Sequence, residues 1–276
     1  MRKRLTLIIV LIGLVNGQSS WDVLTLPTDA RDAALGINLN PLVRPAELAG
    51  DTEPEMTLSG WSWIEDIQGA HLGVELQQAF LGVTAVNFGE FEYRDDVPSL
   101  EPLSTFGYSI FSFGGAYALE WDQLRLGLAT ELLYERTVNA SSVGLSMNLS
   151  GAYPISDQLQ VGAGMRHLGL VSALDSEATD LPTEAWLAGK VYINELDLYT
   201  ELSSGSFPLS LGMSYEFADI FEAIGGLQLE STEPSLRVHP SIGFTVNLAN
   251  FRLGYSNYQM SHKLGSRHFL SLYWNY

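Results

Sequence analysis

The chain of 276 residues contains no cysteine, so it forms no disulfide and no thiolate metal site. Basic residues are scarce, 14 Lys+Arg against 32 Asp+Glu, and three of the 14 stand at positions 2–4. That deficit argues against a nucleic-acid role, because phosphate binding needs a basic face. Charge of either sign is sparse, 17% of residues against 46% hydrophobic, yet beyond residue 17 no apolar run approaches 18 residues. A helical membrane protein is therefore excluded. High apolar content without apolar runs is what a transmembrane β-barrel shows, since its lipid face is spread over alternate positions of many strands.

The one compact apolar run stands at the start. Arg2, Lys3 and Arg4 form a basic region, Leu5 to Val15 an apolar stretch, and Val15-Asn16-Gly17 a small-residue cleavage site. The pattern predicts a secretory signal peptide over 1–17, too short to span a bilayer as a helix. Its removal takes three basic residues away and leaves 11 against 32 acidic ones, a net charge of about −21.

Most of the remaining chain alternates with a period of two. In SLRVHPSIGFTVNLA, residues 235–249, Leu236, Val238, Pro240, Ile242, Phe244, Val246 and Leu248 share one face, while Arg237, His239, Ser241, Thr245 and Asn247 lie on the other. The same alternation places Leu124, Leu126, Leu128, Leu132 and Tyr134 opposite Arg125, Glu131 and Glu135, and Phe207, Leu209, Leu211, Met213 and Tyr215 opposite Ser210 and Ser214. At the end of the chain Leu270, Leu272, Trp274 and Tyr276 share one face of an insertion strand. Such segments number about 14, from 55–64 to 266–276. Several are longer than the roughly 5 to 6 residues usual in soluble sheets and match the roughly 9 to 11 of a tilted membrane strand. Every second connection is short, as at Gln77-Gln78, Asp122 and Ala249-Asn250, whereas the long ones run from Phe91 to Ser104 and from Ser172 to Pro182. Outer-membrane barrels alternate periplasmic turns and extracellular loops in this way.

The expected fold is thus all-β, a transmembrane antiparallel β-barrel of about 14 strands, with residues 18–53 as a short N-terminal plug and 54–276 as the barrel. Both termini are expected on the periplasmic side of a Gram-negative outer membrane. Arg125, Glu131, Arg166, Lys190, Glu201, Arg237 and Arg252 lie opposite the apolar faces. Arg or Lys at a lipid-facing midplane position costs roughly 2 to 4 kcal/mol, so these residues are expected to point into the lumen.

One stretch breaks the alternation. Leu24 to Gly36 reads LTLPTDARDAALG, a short helix with Thr28 as expected N-cap and Gly36 as stop. Leu26-Pro27-Thr28-Asp29-Ala30-Arg31 followed by Ala33-Ala34-Leu35-Gly36 resembles the N-terminal LPxxAR…ALGG signature of the PorV/PorQ family, outer-membrane barrels related to the long-chain fatty-acid transporter fold. Residues 264–272, LGSRHFLSL, are similar to that family's closing strand. Ile37 replaces the usual second glycine, and the Leu-Pro start leans towards the PorQ type. The resemblance marks Leu26, Pro27, Asp29, Arg31, Leu35 and Gly36 as a plug motif. It implies a non-enzymatic part in type IX secretion or cell-surface attachment, with outer-membrane lipid around the barrel and a secretion or sortase-like surface protein, or a cargo domain, docking on the loops near 91–104 and 172–182. The alternative expectation is passive uptake of a hydrophobic small molecule through the lumen, as in a fatty-acid-transporter-like channel.

No reaction chemistry stands out. The five histidines, at 71, 167, 239, 262 and 268, have no His-Glu-x-x-His spacing, and Gly162-Ala163-Gly164 lacks the third glycine of a dinucleotide fingerprint. No catalytic residue, metal or cofactor is expected.

Overall fold

The computed structural model describes residues 20–49, 53–63, 67–93, 104–137, 140–174, 179–218, 220–232, 235–260 and 265–276. Fourteen strands form one closed antiparallel barrel. They are β1 (Glu55–Ser62), β2 (Gln68–Leu76), β3 (Ala79–Tyr93), β4 (Ser104–Trp121), β5 (Leu124–Arg136), β6 (Ser141–Ser156), β7 (Leu159–Val171), β8 (Glu184–Ile193), β9 (Leu196–Ser203), β10 (Leu209–Phe217), β11 (Phe221–Thr232), β12 (Ser235–Leu248), β13 (Phe251–Gln259) and β14 (Ser266–Asn275). Each strand pairs with its sequence neighbours, and β1 closes on β14 from Glu55↔Asn275 to Ser62↔His268. Closure leaves no unpaired edge, which hydrocarbon would penalise by several kcal/mol per unsatisfied group.

The period-two pattern decides the faces. Leu126, Leu128 and Leu132 of β5 and Leu236, Val238 and Ile242 of β12 are exposed on the outside, while Ala129, Glu131 and Glu135 of β5 and His239, Ser241 and Thr245 of β12 are buried inside. On β14, Leu270, Trp274 and Tyr276 are exposed and Leu272 is half-buried on the same outward face. The exterior is therefore apolar and the interior polar, the inverse of a soluble domain.

One end of the barrel carries tight two-residue turns. Their first residues, Gln77, Asp122, Asn194 and Ala249, adopt φ of +52° to +55°. The described parts of the longer β7–β8 connection, 172–174 and 179–183, lie at the other end.

Two departures from strict alternation are local. Phe207, expected on the outer face of a strand from 207 to 217, instead precedes β10 and lines the lumen; Pro208 cannot donate to a ladder, and β10 begins only at Leu209. In β7, His167 has a φ of +59°, and the register with β6 shifts between Met147 and Leu149. The extra residue puts Arg166 and His167 both inside and returns Leu170 to the outside. β8 pairs with β7 only up to Arg166↔Glu184; beyond it β7 is paired with β6, and the Thr183 hydroxyl donates to the His167 carbonyl at 2.9 Å.

Candidate functional site: a plugged lumen and its chamber

Residues 20–49 lie inside the barrel. A 3-10 turn, Ser20–Thr25, sits at the end with the long connections, where Trp21 is fully buried beside Ile110, Leu133 and Leu181. The chain then descends through helix α1 (Ala30–Leu35) to a second 3-10 turn, Pro45–Leu48, packed against β4, β5 and β6. Ser20, the first described residue, and Tyr276 thus lie at opposite ends of the barrel. The physical reason is the plug itself, which threads the full lumen instead of capping one mouth.

Helix α1 is capped by Asp29, whose carboxylate accepts the Asp32 N–H at 3.0 Å; the N-cap is therefore one residue later than expected at Thr28. Thr28 Oγ1 is engaged elsewhere, accepting from Asn40 Nδ2 at 2.8 Å. Gly36 ends the helix in the left-handed region, φ +67°. The helix rests on β10 to β14 through Ala30, Ala33, Ala34 and Leu35, all buried. Backbone approach is very close: a Cβ at Gly226 of β11 would stand 2.2 Å from the Leu35 carbonyl oxygen.

Polar bonds fix the plug to the wall on several sides. Ala30 N–H donates to Ser271 Oγ at 2.8 Å, Tyr273 Oη donates to Asp29 at 3.0 Å, and Ser241 Oγ donates to the Ala34 carbonyl at 2.8 Å. Ala46 N–H donates to Ser150 Oγ at 2.8 Å, and Asn148 Nδ2 donates to the Leu42 carbonyl at 2.6 Å. Arg31 pairs with Glu222 at 3.2 Å. Arg44 pairs with Glu201, which also accepts from Arg166 at 3.1 Å, and Arg166 reaches Glu184 at 2.6 Å. Asp32 turns back onto the plug, accepting the Leu39 N–H at 2.7 Å, and burial together with neighbouring Asp29 raises its pKa well above the usual carboxylate range.

Among the charges expected in the lumen, Glu131 is buried and accepts from Asn148 Nδ2 at 3.0 Å. Lys190 is half-buried, 3.3 Å from Asp197 and over the rings of Tyr192 and Tyr199, and Arg252 pairs with Glu55 at 3.0 Å. Arg125 is half-buried on the inward face of β5. Arg237 shares the inward face of β12 with His239 but is exposed, because it stands near the strand end, past the plug.

At the end with the long connections the lumen widens into a chamber of about 780 Å³. Val23 and Leu26 of the plug, Trp61, Ile67, Val86 and Phe88 supply its apolar surface. Polar groups line it too: Tyr108 donates to Glu135 at 2.6 Å on one wall, Arg267 of β14 stands on another, and Asp22, Asp180 and Glu230 also border the space. A smaller cavity of about 40 Å³ lies beneath and shares Val23, Leu26, Trp61 and Val86 with the chamber; Pro27 lines it too. A charged vestibule of about 210 Å³ near Glu55, Glu75 and Arg252 opens at the tight-turn end, and Asn40 lines both it and the small cavity. There Asn40 Nδ2 lies 3.2 Å from His71 Nε2, whose other ring nitrogen is 2.9 Å from Thr84 Oγ1. Sequence reasoning missed the chamber, since its floor and walls come from five or more separated segments and only the isolated apolar Trp61, Val86 and Phe88 hint at it.

The architecture has counterparts of known structure. The Ralstonia pickettii toluene transporter TbuX superposes with a TM-score of 0.64 at 9% identity, covering 91% of this chain and 99% of that one. The Pseudomonas putida toluene transporter TodX gives 0.62 at 10% identity, over 90% and 96%, and the CymD monoaromatic hydrocarbon channel 0.59 at 12%, over 90% and 97%. This chain shares their fold, a closed barrel of 14 antiparallel strands. No protein-family model matches the chain, and no curated protein matches it either. The PorV/PorQ assignment is not supported by these likenesses, which lie with proteins named as hydrocarbon channels and toluene transporters. The loops expected to dock a partner fall largely outside the described residues: 94–103 and 175–178 are not among them.

Proposed function

We propose that this chain is a non-enzymatic outer-membrane channel that admits a small hydrophobic molecule through the lumen. The tight turns face the periplasm and the chamber faces the outside. The observation that carries the reading is the chamber: a cavity of about 780 Å³ at the end with the long connections, floored by Val23 and Leu26, with Trp61, Trp63, Ile67, Val86 and Phe88 giving apolar and aromatic wall among its polar lining residues. Pockets of roughly 300 to 1,000 Å³ with mostly apolar linings are typical of small-molecule sites. The fold shared with toluene transporters and a monoaromatic hydrocarbon channel supports the same reading.

The test is binding and uptake of toluene or p-xylene by the purified barrel, followed by tryptophan fluorescence in detergent and by entry into proteoliposomes. Val86→Asp sets an unpaired charge in the chamber wall and is expected to weaken binding at least tenfold while the barrel stays closed. A wild-type barrel that neither binds nor passes any small apolar probe would overturn the proposal.

A further inference from the structure

On the outside of the barrel, the face made by β13, β14, β1, β2 and β3 is too short for a bilayer. Its outward apolar residues cover only five to seven positions from the tight-turn end, as from Phe251 to Tyr255 on β13, Met56 to Gly60 on β1 and Ala79 to Ala85 on β3. Seven residues of a strand tilted by about 45° rise only about 16 Å, against an apolar band of about 25 Å in a membrane barrel. The next outward position on each strand is polar. Asn257, His268, Ser62, Gln68 and Asn87 stand side by side, through the registers Asn257↔His268, Ser62↔His268, Ser62↔Gln68 and Gln68↔Asn87. Tilting the barrel does not level this notch, because the apolar run is longer on both sides of it, Leu236 to Leu248 on β12 and Phe111 to Trp121 on β4. Beneath the polar row Gly60, Ala70 and Ala85 are ladder neighbours, so the face is also flat. A Cβ at Gly60 would meet only the Gly69 carbonyl, at an ordinary 3.8 Å, so the barrel's own packing does not require glycine there.

We infer that this face binds a second copy of the chain, in a dimer whose two-fold axis runs along the membrane normal. A wall too short for the bilayer is relieved by association, which puts protein instead of hydrocarbon against the polar row. Both copies enter the membrane in the same orientation, so a two-fold between them must follow the normal, and equal depths meet: polar row against polar row, small residues against small residues. Hydroxyl, amide and imidazole groups both donate and accept, which makes the row complementary to itself, and small residues let two walls come close. From the tight turns up to the polar row the outward positions of these five strands hold no Asp, Glu, Lys or Arg, although the chain carries a net charge of −18. Two copies therefore meet here without like-charge repulsion. Five strands about 4.8 Å apart make a face about 24 Å wide and about 25 Å tall, so a pair buries roughly 1,200 Å², the lower end of stable interfaces. The dimer goes beyond the channel reading and does not depend on what the lumen passes.

The chain has no native cysteine, so single cysteines report contacts directly. Ser62→Cys, at the centre of the face, is expected to give an oxidised product of twice the chain mass in intact outer membranes, at least tenfold more than Leu128→Cys on β5 or Leu211→Cys on β10, both of which also point outward. Analytical ultracentrifugation of the full chain in mild detergent should show the dimer, and Gly60→Trp, which has room within its own barrel, should weaken association at least tenfold. Gln68→Leu combined with His268→Leu extends the apolar run and should likewise shift the protein to monomer. That pair also serves if Gly60→Trp fails to show the heat-modifiable gel migration of a closed barrel. Equal cross-linking at 62, 128 and 211 overturns the dimer, as does a Ser62→Cys product whose mass shows a different protein. Association unchanged in both sets of variants overturns it as well. None of these measurements reads uptake, so their failure leaves the channel reading standing, and loss of the channel reading leaves the dimer to be judged on its own.

Discussion

Arg44 of the plug and Glu201 of β9 form an ion pair inside the barrel, with each side chain only 5% exposed. Glu201 also holds Arg166, so one carboxylate serves two guanidiniums, one from the plug and one from the wall. Burying such groups is costly unless every charge is answered, which makes the cluster fragile towards the loss of one partner.

Glu201→Gln is expected to destabilise plug seating by about 3 to 5 kcal/mol, the usual cost of leaving a buried charge unpaired. Hydrogen exchange of residues 37–49 should accelerate strongly, whereas exchange in β12 to β14 should change little. Lys190→Met, which removes a pair that is about a quarter exposed, should have a far smaller effect.

Gly226→Val tests the seat of the helix. A side chain there meets the Leu35 backbone at 2.2 Å, and backbone cannot swing aside as a flexible side chain does. The variant should close as a barrel but expose residues 30–36 to protease. Unchanged protection would show that α1 has room to shift.

Protonation of Asp32 is linked to plug stability. Its carboxyl is buried beside Asp29 and its pKa is raised in the folded protein, so the folded state binds the proton more tightly than the unfolded chain, whose value is about 3.9. The stabilisation is complete below the unfolded value and is lost as pH rises through the raised one. Plug protection measured by proteolysis should accordingly fall from acid to neutral pH, and Asp32→Asn should flatten that profile.

Ala249 offers a stabilising change. It opens the β12–β13 turn with a φ of +53°, where an L side chain costs about 1 to 2 kcal/mol and glycine costs nothing sterically. After allowance for glycine's greater chain entropy, Ala249→Gly should raise stability by about 0.5 to 1 kcal/mol in urea titrations of the folded barrel. The same substitution at Ala129, buried mid-strand, should lower it.

The barrel was legible because lipid imposes one rule on every strand. Leu126, Leu128 and Leu132 must face hydrocarbon, so Ala129 and Glu131 must not, and the rule repeats from β1 to β14. It fails where backbone chemistry intervenes, as at Pro208, which sends Phe207 inward, and at His167, where a bulge shifts the register without any change in composition. The site was less legible, for a different reason. Lumen contacts join residues far apart in the chain, such as Arg44 with Glu201, and no local pattern tells which carboxylate an inward arginine meets. That LTLPTDARDAALG would be a helix could be read from its caps and its alanines, but the wall it leans on and the direction it runs depend on contacts with β10 to β14.

The hydrogen bond from Ala30 to Ser271 spans 241 residues. Helix α1 is thus gripped by β14, and that same strand seals the barrel against β1. Seating the plug and closing the seam between β1 and β14 therefore draw on the same strand, and a misplaced plug leaves Ser271 and Tyr273 without their plug partners beside that seam.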